Sequence, residues 1–104
     1  MALADGAFEV RDNPEAGRFE AGVGEHLAIA AYRRTPGRIT FTHTEVPPAL
    51  QGQGVASRLI RAALDAARAE GAEVVPYCPF VAAYIRRHPE YRDLVPDRYR
   101  RLVS

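Results

Sequence analysis

The chain contains no lysine; all 14 of its Lys+Arg residues are arginine, and with the abundant alanine this reads as the codon bias of a GC-rich genome, without functional weight. A single cysteine, Cys78, excludes an intramolecular disulfide framework. No metal-ligand spacing exists among Cys78, His26, His43 and His88, so no metal is expected. No run is long and apolar enough to span a bilayer, and Met1-Ala2-Leu3-Ala4-Asp5 lacks the basic start and apolar run of a signal peptide. A cytoplasmic location without membrane association is the expectation. Excess charge is missing too: a formal +1 gives no strong footprint for nucleic acid or anionic membrane. The C-terminal segment does collect Arg86, Arg87, Arg92, Arg98, Arg100 and Arg101, but only Tyr91 and Tyr99 could serve as interleaved stacking aromatics, so the run reads as a solvated basic tail. With no linker or repeat, 47% apolar and 26% charged residues, the 104 positions read as one domain, 1–104, able to bury a modest core.

What the chain does have is concentrated between Val46 and Gly71. Val55, Leu59, Ala63 and Ala67 recur every four positions, with Ala56 and Ile60 beside them, while Arg58, Arg61, Asp65, Arg68 and Glu70 take the other side. That is the periodicity of an amphipathic helix. Gly71 falls where a left-handed C-terminal cap belongs. Ahead of the helix, Gln51-Gly52-Gln53-Gly54 places two residues without Cβ where free N–H groups emerge. First-turn amides have no intrahelical partner and the helix dipole favours negative charge there, so the loop reads as a phosphate cradle. It contains neither GxxxxGK[ST] nor GxGxxG with a downstream ribose-binding acid, which sets aside the two commonest nucleotide loops.

Along the chain, Ala7-Phe8-Glu9-Val10-Arg11 predicts a first strand that stops at Asp12-Asn13-Pro14, and Arg18 to Val23 a second. Leu27 to Arg34 predicts a third strand, turning at Thr35-Pro36-Gly37 into a fourth that ends near Glu45. After the helix, Glu73 to Cys78 predicts a fifth strand and Phe80 to Arg87 a second helix, ended by His88-Pro89. Strand four, helix and strand five form a right-handed crossover, which makes those two strands parallel. The fold class is α/β (α+β), a mixed five-stranded sheet with two main helices. Val46-Pro47-Pro48 suits a parting of strands four and five, because proline donates no ladder hydrogen bond; it suits a plain loop before a helix equally well.

Gln51, Gly54 and Ala56 occupy the positions of the Q/R-x-x-G-x-G/A signature, so the segment resembles the cofactor loop of the GNAT superfamily of acetyl-CoA-dependent N-acetyltransferases. Thr44-Glu45-Val46-Pro47, Gly52-Gln53-Gly54 and Pro76-Tyr77-Cys78-Pro79-Phe80, in that order, resemble in particular its small YjdJ-type members. The resemblance implies a GNAT fold, from whose larger members the chain is expected to depart: Asp12 to Gly17 is too short to hold the usual helices between the first two strands, and the last pair of strands is missing, which makes a minimal domain. It also implies that acetyl-CoA is bound along Val46, Gln51, Gly52, Gln53, Gly54, Val55 and Ala56, with its pantetheine arm in the wedge between strands four and five. Arg58, in the first exposed turn of the helix, is a candidate phosphate partner; Arg86 and Arg87 are weaker ones.

Transfer to an amine needs a proton acceptor, a positioned carbonyl and a proton for the departing thiolate. Glu45 and His43 are two apart on the fourth strand and share a face, so either could take the amine proton, directly or through water. The bland alternatives are a strand-end carboxylate and a half-buried sheet histidine. Cys78 precedes Pro79, a residue suited to a first helical position, so its sulfur is expected in the positive end of a helix dipole, which would favour the thiolate. It is then a nucleophile, a wall of the acceptor pocket, or an inert buried residue. Tyr84 stands where many GNAT proteins carry a tyrosine near the coenzyme sulfur; alternatively it packs on Phe80. The expected function is acetyl transfer from acetyl-CoA to a primary amine by direct attack. Two readings compete with it: a non-catalytic acyl-CoA-binding module and, on the arginine tail alone, a small nucleic-acid-binding domain. The chain leaves monomer or weak homodimer open, since the fifth strand has an edge that the segment Tyr91 to Ser104 could cover.

Overall fold

The computed structural model describes residues 8–104. Its core is a five-stranded mixed sheet in the order β1-β2-β3-β4-β5, formed by β1 (Val10–Asn13), β2 (Arg18–Val23), β3 (His26–Thr35), β4 (Arg38–Glu45) and β5 (Glu73–Pro76). β1 to β4 pair antiparallel, and β4 and β5 pair parallel around the helix α1 (Val55–Ala69). A second helix, α2 (Pro79–Arg87), follows β5, and the chain continues through 3-10 segments Pro89–Leu94 and Asp97–Val103. This is the expected fold class.

Local chemistry accounts for the elements. The apolar stripe of α1 is fully used: Val55, Leu59, Ile60, Ala63, Leu64 and Ala67 are all buried. They pack on Ala28, Ala30 and Tyr32 of β3 and on Ile39 and Phe41 of β4 in one cluster that also holds Val81, Tyr84 and Ile85 of α2. Both helices therefore cover one face of the sheet. α1 ends as expected, with Gly71 at φ 72 and the Ala72 amide donating to the Ala67 carbonyl. A Cβ at position 71 would meet nothing within 4 Å, so only backbone strain opposes a side chain there. Gly71→Ala should cost about 1 kcal/mol, seen as a lower urea midpoint at unchanged m.

Two strand boundaries and the C-terminal tail differ from expectation. β1 begins at Val10 and continues through Asp12 and Asn13, which pair with Phe19 and Arg18, so the turn is Pro14 to Gly17; Ala7 lies outside the described residues. Two turn-forming residues are tolerated in the strand because Asp12 accepts from Tyr32 and Arg34, and Asn13 donates to Glu20. β5 stops at Pro76, and Tyr77 and Cys78 instead lead into α2, for which Cys78 is the N-cap. The arginine tail is folded rather than merely solvated: Arg86 donates to the Leu102 carbonyl and Arg100 to the Val95 carbonyl, while Arg98, Arg92 and Arg101 are exposed. The last 3-10 segment packs on β5 and α2 and buries Val103.

Candidate active site

The site begins where the parallel pairing ends. β4 and β5 are in register from Arg38↔Glu73 to Phe41↔Pro76, and the Cys78 amide adds one more bond, 2.9 Å, to the Phe41 carbonyl. Beyond it β4 runs on to Glu45 while the chain after β5 turns into α2. The two strands part, and the β4 edge over residues 42–45 has no β5 partner.

A bulge decides which side chains face this gap. Ala31 pairs with His43 and Tyr32 with Phe41, so Thr42 is an extra residue in β4. Strict alternation from Ile39 and Phe41 would turn His43 and Glu45 into the core. Instead Thr44 faces the helices, its Oγ1 3.3 Å from the Cys78 sulfur. His43 and Glu45 stand on the opposite face, largely exposed, with Nε2 and Oε2 3.0 Å apart.

On the helix side a cavity of about 420 Å³ is lined by Thr44, Val46, Leu50, Gln51, Gly52, Gly54, the first-turn residues Val55, Ala56 and Ser57, and Phe80. Gly54 is the α1 N-cap at φ 77, a left-handed conformation that glycine adopts without strain, and no side chain caps the helix. The first-turn amides are therefore left to a ligand or to water, and the dipole makes that ligand an anion. Gln51 braces the loop by donating to the Val46 carbonyl, and Gln53 by donating to the Ala49 carbonyl; Gln53 does not line the cavity.

Other candidates fall elsewhere. The Arg58 guanidinium lies 5.3 Å from the Phe8 ring centre, in a separate hollow with Arg61 and Asp65. Tyr84 is buried, stacked on His88 at 4.1 Å and beside Tyr91, outside the cavity lining. Burial raises its hydroxyl pKa. Cys78 is 2% exposed, at the floor of the gap. Among the described residues, no His/Cys/Asp/Glu group could hold a metal. No helix among them is long and apolar enough to cross a membrane.

The opposite sheet face carries a second cavity, about 490 Å³, lined by Arg18, Leu27, Ile29, Glu45, Val46, Pro47 and Pro48. Val46 belongs to both cavities. Thr44's inward position and the Arg18, Leu27 and Ile29 side of this cavity have no local sequence signal, because the bulge and the strand register that place them are relations between strands. Ser57 was readable, as the hydroxyl residue of the first helical turn.

A mixed sheet whose parallel strands part beside a glycine-capped helix is the architecture of GCN5-related acetyltransferases. The chain belongs to that family: residues 18–94 match the GCN5-related N-acetyl-transferase family. Among curated proteins it is 35% identical over 63 residues to Protein NATD1 of Gallus gallus and of Mus musculus, a match covering 60% of this chain and 57% of each relative. The Homo sapiens protein matches at the same identity over 56% of its length, so the chain spans little more than half of these relatives. Among solved structures, a GCN5-like protein from Staphylococcus aureus, determined by NMR in solution, superposes with a TM-score of 0.67 at 27% identity, covering 86% of this chain and 89% of that one.

Proposed function

We propose that the chain is an acetyl-CoA-dependent N-acetyltransferase of the small YjdJ type, a single domain over residues 1–104 acting in the cytoplasm on a primary amine. One observation carries this reading: the unpartnered end of β4 lies between two cavities that share Val46. The helix-side cavity suits the coenzyme. The amides of Val55, Ala56 and Ser57 would hold its pyrophosphate, and the free β4 edge near Val46 would pair with its pantetheine amides. The other cavity suits the acceptor, which would meet the thioester at the gap.

In the transfer the amine nitrogen bonds to the thioester carbonyl carbon, the C–S bond breaks, and the coenzyme leaves as a thiolate that takes up a proton. Glu45, with His43 3.0 Å away, is placed to receive the proton the amine gives up, directly or through water. Burial of Cys78 and its contact with Thr44 favour a residue that shapes the floor over one that carries acetyl. The stacking of Tyr84 on His88 favours a packing role.

Calorimetric titration with acetyl-CoA tests the reading, with Ala56→Glu alongside. A glutamate in the first turn suits the helix dipole, so the variant should fold, yet its carboxylate competes for the amides a pyrophosphate needs. Wild-type binding with at least a tenfold loss in the variant is expected; no wild-type binding, or equal binding, defeats the reading. Binding without amine-dependent thiol release would leave an acyl-CoA-binding module.

A further inference from the structure

The cavity on the open sheet face has an unusual distribution of charge. Glu20 and Glu45 both pair, through the register, with Ile29, from opposite sides. Two strand spacings, roughly 10 Å, therefore separate them across Ile29. Glu20 is 2% exposed and fully engaged: Arg18 Nε donates to it at 2.7 Å, Asn13 at 3.0 Å and Arg11 at 3.1 Å. It anchors Arg18 through Nε, and Arg18 and Glu45 line the same cavity. Among the described residues only Nε of Arg18 is engaged, which leaves the four N–H donors of its terminal nitrogens for the cavity. Ile29, the 38% exposed Leu27, Pro47 and Pro48 line the cavity with Arg18 and Glu45.

A positive wall, an apolar floor and a negative wall match a zwitterion on an apolar frame. We propose that this cavity selects as acceptor an amino acid with an aliphatic or aromatic side chain, its carboxylate paired with Arg18 and its amine with Glu45. The inference rests on the acceptor role proposed for this cavity. A polyamine is opposed, because its second ammonium would approach the Arg18 guanidinium. An uncharged extension of the amine offers the guanidinium no carboxylate to pair with, and its donors stay with water. A carboxylate accepts two of them in parallel, the bidentate geometry that favours arginine for such recognition.

Three probes with one apolar body separate the two walls: phenylalanine, phenethylamine without the carboxylate, and 3-phenylpropanoate without the amine. Each is titrated by NMR into the protein without coenzyme. Phenylalanine should bind at least tenfold tighter than either fragment. Arg18→Gln should remove that advantage over phenethylamine while phenethylamine itself binds unchanged, which also reports that the variant is folded. Arg11→Gln perturbs the same Glu20 network but not the cavity lining, and should leave phenylalanine affinity within twofold. Phenethylamine or spermidine binding as tightly as phenylalanine, a preference that survives Arg18→Gln, or no binding by any probe overturns the proposal. Because no coenzyme enters these titrations, their failure is separate from failure of acetyl-CoA binding.

Discussion

Phe41→Ala should lower the free energy of unfolding by about 3–5 kcal/mol. Phe41 is 1% exposed and its ring meets Phe19 at 6.2 Å and Tyr32 at 6.4 Å, so truncation leaves a cavity beneath three strands. It is also the last β4 residue paired with β5 before the strands part, and its carbonyl accepts from Cys78. Loss of the ring should loosen that rung. Urea denaturation measures the stability, and hydrogen exchange at the Cys78 amide measures the rung. A cost below about 1 kcal/mol would mean that the site collapses and repacks, contrary to the rigidity expected of this core.

Glu20 should make the protein sensitive to acid. Hydrogen bonds from Arg18 and Asn13, aided by Arg11, hold its carboxyl at about 2, down from its ordinary 4.5, against the opposing effect of burial. A depressed folded-state pKa means that the unfolded chain binds the proton first. The stabilisation is thus complete above about 4.5 and is lost as pH falls towards about 2. Glu20→Gln should cost about 2 kcal/mol at pH 7, the scale of hydrogen bonds to a charged group. Unfolding of the two proteins followed from pH 7 to 2 should show the gap closing at the acid end. A gap independent of pH would assign the loss to packing and not to charge.

Much of the fold was legible. The α1 stripe and Gly71 are local signals, since a helix with period 3.6 and a left-handed cap needs no distant partner to be recognised. The loop from Gln51 to Gly54 was readable for the same reason: uncapped amides and glycines are properties of consecutive residues. β1 ends later than the sequence suggests because Asp12 and Asn13 are turn formers by propensity, overridden by Glu20 of the facing hairpin strand and by Tyr32 and Arg34 of β3, which is not adjacent to β1 in the chain. The tail reads as solvated in the sequence because its 3-10 segments depend on burying Tyr91, Leu94 and Val103 against elements already folded.

The candidate site divides along the same line. Residue order alone carried the crossover, the glycine-capped helix and the pairing of Glu45 with His43 on one face, because each follows from neighbouring residues or from the order of consecutive elements. Three-dimensional packing chose the face itself. The extra residue at Thr42 arises from the register between β3 and β4, a relation between strands, and it turns Thr44 inward and Glu45 outward. The placement of Arg58 beside Phe8 and of Arg18 across Ile29 from Glu45 has the same origin. These are contacts between segments far apart in the chain, and they exist only once the sheet has closed.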